Sequence, residues 1–165
     1  MFIELEPIFN NVGARLAFDY ELKLAAYEFG VSRPFKKPVR VFGEVGNFTG
    51  IVKIKANAIV KMQTECDRCA GDIEKQFTIP VEHILVTHLN DEENDDFLLI
   101  NNFRFEFDPL VIEDIFLALP AKILCKDDCK GICSICGENL NNGQCSCQKP
   151  IDPRLEALKQ LLDNE

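Results

Sequence analysis

Between Val52 and Gln63 the chain alternates between two sets of positions. Val52, Ile54, Ala56, Ala58, Val60 and Met62 hold one parity, and Lys53, Lys55, Asn57, Ile59, Lys61 and Gln63 the other. Successive side chains of an extended chain point to opposite faces, so this period of two predicts a strand with one buried face. Ile73, Lys75, Phe77, Ile79 and Val81 begin a second such run, continuing to about Thr87. Two strands separated by ECDRCAGD make a long hairpin with a cysteine pair at its tip. Upstream, VRVFGEV (39–45) reads as a third strand, joined to the first through GNFTG, whose glycines suit a turn. Leu16, Phe18, Tyr20, Leu22 and Leu24 predict one more near the N-terminus, and their sequel AAYEFG fits a helix as well as a strand.

Past the acidic run DEENDD (91–96), FLLI and FRFEF read as two short strands around an Asn-Asn turn. DPLVIEDIFLALP then carries helix punctuation: Asp108 as cap, Pro109 at the first helical position and Pro120 at the end. Val111, Ile112, Ile115, Phe116 and Leu119 share one face at helical spacing, which predicts a core-facing helix. A last helix is expected over about Pro153–Leu162, capped by Asp152, with Leu155, Leu158, Leu161 and Leu162 as its stripe. The expected class is α+β: an antiparallel sheet or incomplete barrel, one central helix, and a metal-bearing tail closed by a short helix. The boundary falls between a sheet domain, 1–124, which includes the Cys66/Cys69 hairpin, and a cysteine-rich tail, 125–165.

Composition changes this picture little. With 165 residues, 47% hydrophobic and 27% charged, the chain is an ordinary globule. No apolar run approaches the roughly 20 residues of a membrane span, and MFIELEPIFNN lacks the basic-then-apolar layout of a secretory signal. A cytoplasmic protein without membrane attachment is expected. Charge is less even than the net −9 implies: segment 31–63 sums to +6, leaving −15 elsewhere. Arg33, Lys36, Lys37, Arg40, Lys53, Lys55 and Lys61, with Phe35 as a stacking ring, form a candidate RNA-binding set. The competing reading is an exposed strand face kept soluble by lysines.

Eight cysteines at close spacings in a reducing compartment point to metal before disulfides. Structural zinc takes four thiolates tetrahedrally, so eight sulfurs fit two ions. Cys133, Cys136, Cys145 and Cys147 form a local C-x₂-C-x₈-C-x-C loop, leaving Cys66, Cys69, Cys125 and Cys129 for a second ion. Regrouping of Cys125 and Cys129 with the tail stays open. Zinc is favoured over iron by the spacing. Arg68, Lys122, Lys126 and Lys130 lie close enough in sequence to offset the charge of four thiolates, while His83 and His88 are surplus to the ligand set. Four thiolates leave no open coordination position, so such a site is structural and not catalytic.

The run LALPAKILCKDDCKGICSICGENLNNGQCSC, with CDRC upstream and IDPRLEALKQL after it, resembles the YceD family of large ribosomal RNA subunit accumulation proteins. The resemblance covers roughly residues 60–165, and carries Cys66, Cys69, Cys125, Cys129, Cys133, Cys136, Cys145, Cys147 and the Leu119-Pro120 helix exit. Ser134 stands where CPxCG is common. The resemblance implies a non-enzymatic factor for 23S rRNA accumulation and large-subunit assembly, with no catalytic residues and no small-molecule substrate. Its partner would be rRNA or a basic large-subunit ribosomal protein. The alternative is a thiol-redox protein or redox-regulated chaperone using its C-x-x-C pairs, although a thioredoxin-like pair belongs at a helix start. A DNA-binding regulator is disfavoured by the absence of a basic recognition helix.

Overall fold

The computed structural model describes residues 1–30, 32–88 and 97–147. In chain order these form β1 (Phe2–Glu4), α1 (Glu6–Asn10), β2 (Arg15–Leu22), β3 (Val39–Phe48), β4 (Ile51–Glu65), β5 (Asp72–Val86), β6 (Phe97–Leu99), β7 (Arg104–Glu106) and α2 (Phe107–Ala118). Among the described residues the fold is α+β, mostly sheet with two helices. It divides into two compact units, Met1–Thr64 with Asp72–Ala121 and Glu65–Gly71 with Lys122–Glu165. The expected boundary kept the first cysteine pair with the sheet. Here Glu65–Gly71 groups with the tail, where two further sulfurs complete its cluster. The helix expected over Pro153–Leu162 lies outside the described residues.

In the first unit, β2 to β6 stand side by side in chain order as an open five-stranded sheet. The alternation read from β4 decides its faces: Val52, Ile54, Ala56, Ala58, Val60 and Met62 are all buried. Antiparallel register sets Val41 against Ala58 and Val45 against Ile54, so the buried face continues through Val39, Val41 and Val45 and, on β5, through Ile79, Val81 and Leu85. Helix α2 packs on β5 and buries Phe107, Leu110, Val111 and Ile115. Phe107 meets Phe18 of β2 edge-on at 5.0 Å between ring centroids. Each such side chain contributes on the order of 2 kcal/mol by leaving water.

Several expectations change. Helix α2 starts at Phe107, so Asp108 lies inside its first turn, and the residue at the cap, Glu106, makes no side-chain cap bond. Asp108 instead accepts a 2.8 Å hydrogen bond from the Tyr20 hydroxyl and pairs with the Met1 ammonium. The helix does end before Pro120: Leu119 is extended at φ −69°, ψ 138°, as a residue preceding proline prefers. FLLI and FRFEF form strands but not with each other. β6 joins β5 in parallel, whereas β7 pairs with β1 in a separate two-stranded sheet. AAYEFG is neither strand nor helix. Tyr27 and Phe29 pack with Phe35 around Phe116 of α2, at centroid distances of 6.1, 6.1 and 5.8 Å.

Candidate metal centre

The second unit opens with a tight knuckle. In Cys66-Asp67-Arg68-Cys69-Ala70-Gly71, the Ala70 N–H donates to the Cys66 carbonyl (2.9 Å) and the Cys66 N–H to the Gly71 carbonyl (2.8 Å). The tail repeats this turn in Cys133-Ser134-Ile135-Cys136-Gly137-Glu138: Gly137 N–H to Cys133 carbonyl, 2.9 Å, and Cys133 N–H to Glu138 carbonyl, 2.8 Å. The residue after each second cysteine has positive φ, 53° at Ala70 and 75° at Gly137. Glycine adopts this conformation freely, and alanine only at a cost of roughly 1–2 kcal/mol. Two copies of one turn therefore present two pairs of sulfurs.

Each pair is completed by two more. Cys66, Cys69, Cys125 and Cys129 place their sulfurs within 4.8 Å of one another, and so do Cys133, Cys136, Cys145 and Cys147. This is the partition read from the spacing, and these eight thiols could hold two metal ions. The distances fit the donor set. With metal–sulfur bonds of about 2.3 Å, the edge of a regular S₄ tetrahedron is about 3.8 Å. Cys66 and Cys129 are 3.8 Å apart, and Cys69 and Cys125 3.7 Å. A disulfide needs about 2.05 Å, and all eight thiols are free. The first cluster is the more enclosed, with Cys66, Cys69 and Cys129 buried; in the second only Cys133 is buried and Cys136 is exposed.

Local dipoles prepare these sulfurs for a cation. Burial alone would raise the Cys66 thiol, but N–H groups of Arg68, Cys125 and Cys69 outweigh it and bring the pKa down to about 6. The Cys125 N–H lies 3.3 Å from that sulfur. Cys133 is likewise lowered to about 6, by the N–H groups of Cys136 and Ile135. Its neighbours move the other way. Burial and hydrogen bonds with Cys129, Cys69 and Cys66 push Cys125 up to about 12, and the contact with Cys136 does most to push Cys147 up to about 12. Four sulfurs this close cannot all ionise until a cation neutralises them.

The expected cationic helpers act differently. Arg68 donates to the Cys129 carbonyl at 3.1 Å and reaches no sulfur, and Lys126 lies 3.8 Å from Asp128. Among the described residues, Asn141 donates to a sulfur: its amide lies 3.3 Å from Cys129 Sγ. The sequence marks it only by its place in the loop between ligand pairs. His83 is tied to Asp114 at 2.8 Å.

The members of the candidate RNA set differ in their surroundings. Phe35 is 1% exposed and sealed against Phe116, which removes it as a stacking ring. Arg33 pairs with Glu28, Lys37 with Glu74, and Arg40 with Asp19 through a fork at 2.6 and 3.0 Å. Lys53, Lys55 and Lys61 share the open face of β4 as expected, and Lys36 is exposed. The +6 of segment 31–63 is thus partly offset by acids from outside it.

Two knuckles whose sulfurs converge with those of more distant cysteines, and an antiparallel sheet with its own core, define an α+β protein carrying two four-cysteine clusters. The sequence model of "Large ribosomal RNA subunit accumulation protein YceD" matches residues 52–162. The chain belongs to the YceD family. It is similar to the uncharacterized protein YlbN of Bacillus subtilis (strain 168), 28% identical over 131 residues that cover 78% of this chain and 76% of the relative. An uncharacterized protein of Mycobacterium tuberculosis (strain H37Rv) is 26% identical over 105 residues, 61% of this chain. The match spans 51% of that relative's length. No solved structure matches the chain. Among the described residues no helix is long and apolar enough to cross a membrane.

Proposed function

We propose that the protein is a non-enzymatic factor supporting accumulation of large-subunit (23S) rRNA during ribosome assembly, with zinc in both thiolate clusters. Membership of a family described by that role carries the reading. Closed four-sulfur sites support it, because a metal fully coordinated by protein thiolates offers no position to a substrate. Each C-x-x-C pair is half of a larger cluster, which lends the thiol-redox alternative no support.

Charge favours a basic ribosomal protein over bare rRNA as the direct partner. Phosphate contacts need uncompensated cations. Here Arg33, Lys37 and Arg40 face carboxylates, and the chain as a whole carries −9. The test is depletion of the protein in growing cells with the ratio of large- to small-subunit rRNA as readout. The ratio should fall, return with the wild-type chain, and return equally with Lys53, Lys55 and Lys61 changed to Glu. An unchanged ratio on depletion would overturn the assembly role. Rescue lost only in the triple variant, with RNA crosslinks mapping to β4, would replace the protein partner by rRNA.

A further inference from the structure

One side chain joins the loop of the second cluster to the first. Asn141 lies in the loop between Cys136 and Cys145, two ligands of the second cluster, yet its side chain grips the first. Its Nδ2 donates to Cys129 Sγ at 3.3 Å, and its Oδ1 accepts the N–H of Lys130, the next residue, at 2.9 Å. The other Nδ2 hydrogen goes to Asn139 Oδ1 at 2.8 Å. With Oδ1 claimed by a backbone donor, the amide orientation is fixed: nitrogen must face sulfur.

The loop that carries Asn141 is held on several sides. Ile132 and Asn139 form an isolated antiparallel bridge, and the Leu140 N–H donates to the Gly131 carbonyl at 2.9 Å. The Asn141 N–H donates to Asn139 Oδ1 at 3.0 Å. Opposite them, the Ile132 N–H donates to the Arg68 carbonyl at 3.1 Å, inside the first knuckle. A short path thus runs from the second cluster's loop to the first cluster's sulfur and knuckle.

We propose that Asn141 is a positioning residue that couples the two metal centres, so that an ion at Cys133, Cys136, Cys145 and Cys147 tightens binding at Cys66, Cys69, Cys125 and Cys129. The inference rests on the metal-binding reading above. An ion held by Cys136 and Cys145 pins both ends of the Asn141 loop before the first cluster fills. The amide then meets Cys129 already oriented, and the ordering of the loop is not charged to the first ion. A hydrogen bond to a ligand also raises metal affinity, typically by about 10–100-fold. Coupling of binding free energies is reciprocal, so the first ion must tighten the second by the same factor.

The experiment uses the full chain, stripped of metal under reducing conditions and titrated with Co²⁺ and then Zn²⁺ against a chromophoric chelator. Each site is isolated in turn by C145S/C147S or C66S/C69S. In the wild-type chain, removing either site should weaken the other by one common factor, of about 10-fold or more. Asn141→Asp keeps the acceptor for the Lys130 N–H but removes the donor to sulfur. It should weaken the first site about 10–100-fold and bring the coupling factor close to one. Asn141→Leu, which removes both contacts, should do at least as much. Equal affinities with the partner site present or absent would overturn the proposal, as would coupling that survives Asn141→Asp. Failure of both sites to take up either ion would instead refute the metal-binding reading itself.

Discussion

Asn47 is the one buried polar side chain among the described residues, 3% exposed at the end of β3. Its amide donates to the carbonyls of Ile8 (2.9 Å) and Phe9 (3.3 Å), and its oxygen accepts the Gly50 N–H at 2.9 Å. One side chain thus closes both the end of α1 and the β3–β4 turn. Asn47→Ala leaves those groups without partners, and an unpaired buried polar group costs about 1–3 kcal/mol. The urea midpoint should fall accordingly with an unchanged slope; an unmoved midpoint would show that water replaces the amide. Residue chemistry was readable where it is local. The cysteine spacings marked the local tetrad of Cys133, Cys136, Cys145 and Cys147, because a two-residue knuckle can present its sulfurs in few ways. They left open whether Cys125 and Cys129 join it or Cys66 and Cys69, which the folded chain decides. Phe35 and Asn141 were not readable, since their roles depend on Phe116 and Cys129, 81 and 12 positions away in the chain.

At the scale of elements, the β3–β4 connection shows where local rules bend. Phe48 pairs with Ile51, leaving a two-residue turn in which Thr49 has φ 54° and Gly50 φ 91°. Both positions need positive φ, the signature of the type I′ turn that matches the twist of a hairpin. Glycine suits this conformation, but Thr49 is β-branched and strained there by roughly 1–2 kcal/mol. Asn tolerates the left-handed region and is preferred in such turns, so Thr49→Asn should stabilise the sheet by about 1 kcal/mol. A thermal melt checks this, and a lower Tm would mean that the Thr49 hydroxyl, 2.7 Å from the Phe48 carbonyl, outweighs the strain. Long elements were legible because alternation over β4 and β5 repeats one face many times. β1, α1, β6 and β7 have three to five residues each, too few for a period to declare itself. Their partners were hidden as well: β7 finds β1 a hundred residues earlier in the chain, at Phe105 against Ile3.

The two units differ in what holds them at the scale of the molecule. The first buries aliphatic and aromatic side chains on both sheet and helix. In the second, the buried hydrophobic positions among the described residues are Ile123, Cys66, Cys69, Cys129 and Cys133. With four of those five being candidate ligands, the described residues supply little apolar core of their own, and an ion bound by such thiols contributes an apparent ~10–16 kcal/mol, as much as a whole small domain's stability. Chelation should therefore expose all eight thiols to alkylation while the sheet's circular dichroism persists. The pH dependence follows from the thiols. Cys66 and Cys133 are depressed to about 6 from the ordinary value near 9. The stabilisation from their ionised forms is thus full above about 9, shrinks as pH falls, and is gone below about 6. Cys125 and Cys147, pushed up to about 12, must surrender protons to an incoming ion throughout that range, so affinity rises with pH everywhere between 5 and 9. The rise steepens below about 6, where Cys66 and Cys133 are protonated as well and each bound ion displaces more protons. Chelator competition at a series of pH values measures this slope directly. A slope that stays flat between pH 5 and 6 would mean that the sulfurs do not bind the ion, and that something other than a thiolate-bound metal orders the tail.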